Sequence, residues 1–531
     1  MTANKEQLEV INSTSDRILC LAGAGGGKTF TLIARISKLV EDGVKASEIL
    51  ALTFTNAAGA EMKERFEKAN PGKEIPEFRT FHAFCYSILC KDPEIRAALG
   101  YDTIPQIASE EQEKSVEERA KIQCKLTLTK EQLKNREDLS KKDAFQADLY
   151  DKAVARLMRA ENIITFDKLN STVAELFASD HKATHPYKQQ YKYIFTDEFQ
   201  DTDEFQIKFL NSFPNTNFCF VGDCLQNIYS FRGTSNEYIK ALAGSEGWNV
   251  IKLFTNYRST NQICEYANNF SKGYAEPTYR IEMQGIRDGE RVITKLVDGP
   301  RKYEAIDKRD VQNVLDTIKG LEGTSAILCR TNKEVAAVVS YLQSQGVDCT
   351  TTTDATTPHI LECAVSETYM RDWLASLLSS NKYGEYIRLS AQVPNPDLHW
   401  FLQNYGNCSQ IKDLVTLINQ LKYIATCFGF TNTKLKDAAE LLHIKNIKET
   451  DQEYFGVAFL QYLKDAILEV KSSEIYVGTI HSVKGLEYDN VFVMNVGSYS
   501  FKLCNEDMKN LFYVAVTRAK NRLYIYELFD S

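Results

Sequence analysis

Residues Ala22-Gly23-Ala24-Gly25-Gly26-Gly27-Lys28-Thr29 follow the apolar run Arg17-Ile18-Leu19-Cys20-Leu21 and precede Phe30-Thr31-Leu32-Ile33-Ala34-Arg35-Ile36. That order reads as a buried strand, a glycine loop and the first turns of an amphipathic helix. Glycines let backbone N–H groups turn inward around phosphate oxygens, and the helix N-terminus adds the positive end of its dipole. Lys28 supplies a point charge, and the Thr29 hydroxyl can ligate Mg²⁺. The stretch therefore predicts a cradle for the phosphates of a nucleoside triphosphate. The strict pattern wants Gly where this chain has Ala22. A tight turn made only for packing is the alternative, but Gly-Lys-Thr in this setting seldom arises that way.

A chain of 531 residues is too long for one ordinary core and should hold about three or four structural units. Its composition, 44% hydrophobic and 25% charged, is that of an ordinary globular protein. No run approaches the roughly 18 apolar residues of a membrane helix, and the first residues carry no signal-peptide core. A cytoplasmic location with no membrane partner is expected. Thirteen scattered cysteines with no C-x-x-C spacing favour reduced thiols over disulfides or a zinc ribbon. A net charge of −8 offers nucleic acid no global attraction, so any such binding needs a local groove.

Around the glycine loop, strand and helix signals alternate over residues 1–90. Gln7 could read an adenine edge with its amide, although alone it fits a solvated helix face better. Thr53-Phe54-Thr55-Asn56 and Arg79-Thr80-Phe81-His82 place aromatic and hydroxyl groups at strand ends. Such groups suit a single strand whose bases stack and whose phosphates accept hydrogen bonds, while ordinary packing explains either segment equally well. Residues 91–190 turn helical and highly charged, as a mostly helical insertion would. Next comes the apolar strand Tyr193-Ile194-Phe195-Thr196, which ends in Asp197-Glu198. Two acids there give one ligand for a metal and one group to orient or deprotonate water. Further on, Gln226 and Tyr229 could sense a γ-phosphate and face a nucleic acid within one short segment. Tyr257 and Arg258 then offer a stacking ring with a charge suited to neutralising a transition state, although alone a helix-capping Ser259 with a solvated Arg258 fits that run better.

The order of segments resembles the UvrD, Rep and PcrA group of superfamily 1 helicases, from residue 4 to residue 524. The most specific pieces are A-G-A-G-G-G-K-T, L-T-F-T-N-A-A at 52–58, T-F-H-A-F-C at 80–85, D-E-F-Q-D-T at 197–202 and V-G-D-C-L-Q-N-I-Y-S-F-R-G at 221–233. N-Y-R-S-T at 256–260, T-I-H-S-V-K-G-L-E-Y at 479–488 and L-F-Y-V-A-V-T-R-A-K at 511–520 complete the set.

The resemblance implies an α/β fold of two RecA-like P-loop domains, each with a mostly helical inserted subdomain, using ATP and Mg²⁺. It implies that ATP sits in the cleft between the domains and single-stranded DNA runs across their tops. By similarity Gln7 and Tyr257 hold the adenine, residues 22–29 (Ala22, Gly23, Ala24, Gly25, Gly26, Gly27, Lys28 and Thr29) the phosphates and metal, and Asp197 and Glu198 the metal and attacking water. Gln226 senses the γ-phosphate, Arg258 and Arg518 act as arginine fingers, and Gly485 and Glu487 contact the nucleotide, Glu487 at the ribose. Phe54, Thr80, His82, Tyr229, Phe231, Arg232 and His481 lie along the DNA.

Several positions depart from the family: Gly26 stands for a usual Ser, Phe30 for a frequent Arg and Phe231 for a frequent Trp. None predicts an inactive enzyme. The expected layout is a first RecA-like domain over 1–90 and 191–260 with its insertion at 91–190. The second covers 261–369 and 471–531, with a reduced insertion at 370–470. Compact motors of this layout occur in phages and in the helicase component of the Gabija defence system. The leading expectation is an ATP-dependent 3′–5′ DNA translocase and helicase acting on single-stranded and tailed duplex DNA. The alternative is a nucleotide-gated DNA-binding subunit that regulates a nuclease or a replication or repair partner.

Overall fold

The computed structural model describes residues 2–129, 132–133, 139–230, 233–298, 305–351 and 474–529. Phe231, Arg232 and the expected insertion at 370–470 lie outside the described residues.

In chain order the strands are β1 (Arg17–Ala22), β2 (Ile49–Thr53), β3 (Glu77–Thr80), β4 (Gln106–Ile107), β5 (Ile163–Ile164), β6 (Tyr193–Thr196), β7 (Asn217–Gly222) and β8 (Asn249–Leu253). They continue with β9 (Thr255–Asn256), β10 (Gln284–Gly285), β11 (Ile293–Val297), β12 (Ser325–Cys329), β13 (Thr350–Thr351), β14 (Ile475–Thr479), β15 (Tyr488–Val496) and β16 (Ala519–Leu528).

By density of internal packing the chain forms two units: residues 1–292 with 503–522, and residues 293–502 with 523–531. Residues 261–292 and 503–522 therefore pack with the first unit. Hydrogen bonds link these segments. Asn268 Nδ2 donates to the Met283 carbonyl at 2.9 Å and Tyr274 OH to Asn510 Oδ1 at 3.2 Å, while Ser259 Oγ donates to the Ala519 carbonyl at 2.6 Å.

The first unit is built on a six-stranded sheet ordered β3-β2-β6-β7-β1-β8, with parallel pairing throughout. Parallel strands covered on both faces must be apolar along their length, and β1, β2 and β7 are buried almost end to end. Ile18, Cys20, Leu32, Ile36, Phe66, Phe195, Val221 and Ile251 form its core. Because every strand points the same way, β1, β6, β7 and β8 deliver residues 22–28, Asp197, Asp223 and Asn256 to one edge. That edge is where open α/β sheets bind ligands.

Between β3 and β6 lie helices Phe81–Lys91, Pro93–Ala98, Glu110–Cys124, Lys141–Ala160, Phe166–Ala178 and His185–Gln190, with the small pair β4–β5. Val116, Ala120, Tyr150, Val154, Met158 and Ile163 give this part a core of its own.

The second unit holds a sheet ordered β11-β16-β15-β12-β14-β13. Helices Lys308–Ile318 and Asn332–Ser344 contribute Val314 and Val338 to a core with Ile327, Val477, Phe492 and Tyr524. Cys20, Cys219 and Cys329 are buried free thiols. No described helix is long and apolar enough to cross a membrane.

Candidate nucleotide and nucleic-acid site

The glycine loop leaves β1 and enters helix Lys28–Glu41 through Gly27, whose φ of 77° is left-handed. Gly25 also sits at positive φ, +73°, and a Cβ there would lie 2.6 Å from Arg258 Cβ and 2.8 Å from Asn256 Oδ1. Only glycine lets residues 256–258 pack this close. The Tyr257 N–H donates to the Gly25 carbonyl at 2.9 Å, so Tyr257 and Arg258 ride on the loop itself.

Gln7 is buried, against the solvated helix face that fits its isolated sequence context. Its Oε1 accepts the Asn4 N–H at 3.0 Å in a capping box. Its Nε2 would stand 2.6 Å from a Cβ at Gly27, on the side that Tyr257 also borders. Arg35, buried, holds this helix in place by donating to the carbonyls of Val10, Ile11 and Ser13.

Beyond β6 the two acids meet the loop. Thr29 Oγ1 donates to Asp197 Oδ2 at 3.3 Å, and Lys28 Nζ lies 3.6 Å from Glu198 Oε1. Burial, then the Glu198 charge, push the Asp197 carboxyl up to about 7 against the pull of Lys28. Glu198 itself has a φ of 52°. A non-glycine residue in that region is held there by its surroundings. A hydroxyl beside a buried carboxyl suits Mg²⁺: both are hard oxygen donors, and a divalent cation would restore the charged form that burial disfavours.

β7 ends in Gly222-Asp223. Asp223 is buried and raised by burial, and its Oδ2 accepts Gln226 Nε2 at 2.7 Å. Gln226 Oε1 in turn accepts Arg518 Nη2 at 3.2 Å. Arg518 is only 1% exposed, so it is not a solvated surface arginine. Burial and the neighbouring Arg258 lower it to about 9, which leaves it protonated at neutral pH. Arg258 Nη1 donates to the Thr517 carbonyl at 3.1 Å, next to Arg518 in the chain.

A second face begins at the ends of β2 and β3. The Phe54 and Tyr229 rings stack with centroids 5.2 Å apart at 13°. His82, half-buried, meets exposed Phe166 edge to face at 5.5 Å; burial lowers its pKa. Thr80, expected along the DNA, is buried. Its buried hydroxyl accepts the Ala83 N–H as a helix cap and donates to Asn56. A cavity of about 230 Å³ lies between the two faces, lined by Thr53, Phe54, His82, Thr196, Asp197 and Glu198 among others. The second unit carries His481, Gly485 and Glu487 on the turn after β14. That turn is closed by Ser482 Oγ donating to the Thr479 carbonyl at 2.7 Å, and Gly485 has a φ of 88°.

Sequence reasoning did not single out Gln200, Asp223, Asn256, Phe166 or Arg287. Asp223 carries a signal, since an acid directly after the last residue of an apolar strand repeats the placement of Asp197. Arg287 carries none, and its Nη2 donates to the carbonyls of Arg258 and Lys520 across an irregular loop.

A phosphate loop, two acids, a buried glutamine amide and two arginines at one end of the sheet define a P-loop nucleotide-hydrolase site. Comparison with known proteins specifies the class further. The UvrD/REP helicase N-terminal domain matches residues 3–245, and the UvrD-like helicase C-terminal domain matches 251–356 and 366–528. The ATP-dependent DNA helicase PcrA of Staphylococcus epidermidis is 25% identical, covering 98% of this chain and 83% of the relative. Its Staphylococcus aureus counterpart is 26% identical, covering 98% and 82%. The chain belongs to the UvrD/REP helicase family and carries that family's two RecA-like domains.

Proposed function

We infer that the protein is an ATP-dependent DNA helicase that moves 3′ to 5′ along single-stranded DNA, driven by ATP hydrolysis and by closure of its nucleotide cleft. The observation that carries the reading is the convergence of Lys28, Thr29, Asp197, Glu198, Gln226, Arg258 and Arg518 around one glycine loop. The Staphylococcus relatives, named as ATP-dependent DNA helicases, support it.

Lys28 and the loop N–H groups bind the β- and γ-phosphates, with Gln7 and Tyr257 at the base. Thr29 and Asp197 would hold Mg²⁺, which would supply charge to offset that of the phosphate oxygens. Glu198 orients and deprotonates the attacking water. Gln226 contacts the γ-phosphate, and Arg258 and Arg518 stabilise the charge that develops in phosphoryl transfer. Glu487 and Gly485 complete the nucleotide contacts. Phe54, His82, Tyr229, Phe231, Arg232 and His481 track the DNA strand, with Phe166 added by its ring contact to His82. Stacking of this kind tolerates any base sequence.

The test is ATP hydrolysis with and without single-stranded DNA, comparing wild type with Lys28→Ala and Glu198→Gln. DNA should stimulate the wild type, and both variants should lose turnover. Hydrolysis that ignores DNA or survives loss of Lys28 defeats the reading. Strand displacement on 3′-tailed against 5′-tailed duplexes checks direction. Absence of unwinding on both, with DNA-stimulated hydrolysis intact, would favour a regulatory DNA-binding subunit of a nuclease or repair complex.

A further inference from the structure

Gln200 sits in the turn after β6 and is fully buried. A buried primary amide must place both its donor and its acceptor, and this one spends them on two different strands' chemistry. Its Nε2 donates to Glu198 Oε2 at 2.5 Å, and its Oε1 accepts the Asp223 N–H at 3.0 Å. Its backbone is fixed as well, because Asn227 Nδ2 donates to the Gln200 carbonyl at 2.5 Å.

The end of β7 is shaped for this approach. A Cβ on Gly222 would stand 2.7 Å from Gln200 Oε1 and 3.3 Å from its backbone nitrogen. Gly222 has no positive φ to explain it. The space it leaves is the space the amide occupies.

Followed outward, the bonds run without a break. Glu198 receives Gln200, Gln200 receives Asp223, Asp223 Oδ2 receives Gln226 Nε2, and Gln226 Oε1 receives Arg518 Nη2. Glu198 stands at left-handed φ; its Oε1 lies 3.6 Å from Lys28 Nζ and its Oε2 accepts Gln200 Nε2, so the two oxygens of one carboxylate are held from two sides. We propose that Gln200 is a positioning residue that fixes Glu198 for water activation and ties its orientation to the Gln226–Arg518 sensing pair. A carboxylate that orients water through a partner of this type depends on it for turnover and not for substrate binding. Losses on removing such supporting contacts run to about 10- to 100-fold. The proposal rests on the ATP-hydrolysing reading above.

The experiment uses the full chain and steady-state ATP hydrolysis with saturating oligothymidylate, together with thermal midpoints. Gln200→Met keeps length and removes both polar ends. Gln200→Glu keeps the acceptor for Asp223 but has no donor for Glu198. Gly222→Ala drives the native amide out of place. Each is expected to lower kcat by about 10- to 100-fold while the KM for ATP stays within about threefold of wild type. Midpoints should stay close to wild type for the Gln200 variants. A wild-type kcat in Gln200→Glu, or a raised KM with kcat kept, overturns the proposal. If Gly222→Ala does not fold, the two Gln200 variants decide. Lys28→Ala run in parallel separates the two failures: hydrolysis that survives it sinks the nucleotide-site reading, whereas hydrolysis that needs Lys28 but not Gln200 sinks only this inference.

Discussion

Asn256 donates its side-chain amide to the Ala24 carbonyl at 2.7 Å, while its Oδ1 accepts the backbone N–H groups of Arg258 and Ser259, each at 2.8 Å. One buried side chain therefore joins the phosphate loop to the backbone that carries an arginine. Asn256→Asp keeps the acceptor and loses the donor. Losing a buried hydrogen bond typically costs about 1–3 kcal/mol, so kcat/KM for ATP should fall about 5- to 150-fold. Steady-state kinetics check this, and an unchanged kcat/KM would show that the loop and Arg258 keep their register without the pin.

Arg518 reaches Gln226 from a buried position and is lowered by burial, yet stays charged at neutral pH. Lysine cannot reproduce its planar fork of donors. Arg518→Ala and Arg518→Lys should both reduce kcat by on the order of 10³-fold with DNA present. Nucleotide binding, read with a fluorescent ATP analogue, should weaken far less. A lysine variant with near-normal turnover would reduce Arg518 to a structural charge.

Much of this site is legible in the chain because P-loop chemistry is written in local spacing. Residues 22–29 announce a strand, a loop and a helix, and Asp197-Glu198 follow an apolar run whose burial the structure repeats. The aromatic signal at Phe54 and Tyr229 also carries through, as a stacked pair. The capping role of Thr80 is not announced by the sequence, because a hydroxyl before a helix suits a cap and a ligand contact alike. The packing of residues 503–522 with the first unit is not legible for a different reason. Residues 503–522 join the first unit through long-range hydrogen bonds such as Ser259 to Ala519, and no local pattern reports a partner 260 residues away. Gln200 is hidden likewise, since a glutamine beside two acids looks solvated until Gly222 is seen to make room for it.

If the stacked Phe54 and Tyr229 rings contact DNA, as proposed above, they can be tested separately from the nucleotide site. Base–aromatic stacking is worth about 1–3 kcal/mol per base, so Tyr229→Ala should weaken single-strand affinity by about 5- to 150-fold. Fluorescence anisotropy with labelled oligothymidylate measures it. Hydrolysis without DNA should be little changed, while the DNA concentration for half-maximal stimulation rises. If basal hydrolysis collapses instead, the pair belongs to the fold of the nucleotide side and not to the DNA face.

Asp197 makes the nucleotide-free protein sensitive to pH in a defined direction. Its carboxyl is pushed up to about 7, mainly by burial and then by Glu198, whereas the unfolded chain titrates near 3.9, roughly the model-peptide value. Between those pH values the folded state holds a proton that the unfolded state has lost, so stability falls as pH rises through that window. Below it both states are protonated, and the contribution no longer changes with pH. Asp197→Asn removes this charge cost. Without nucleotide or Mg²⁺, the variant should therefore melt above wild type at pH 8 and close to it at pH 5, while losing ATP hydrolysis. Thermal unfolding across pH 5–8 is the measurement. Parallel curves for the two proteins would show that Asp197 is relieved of its burial cost by other means.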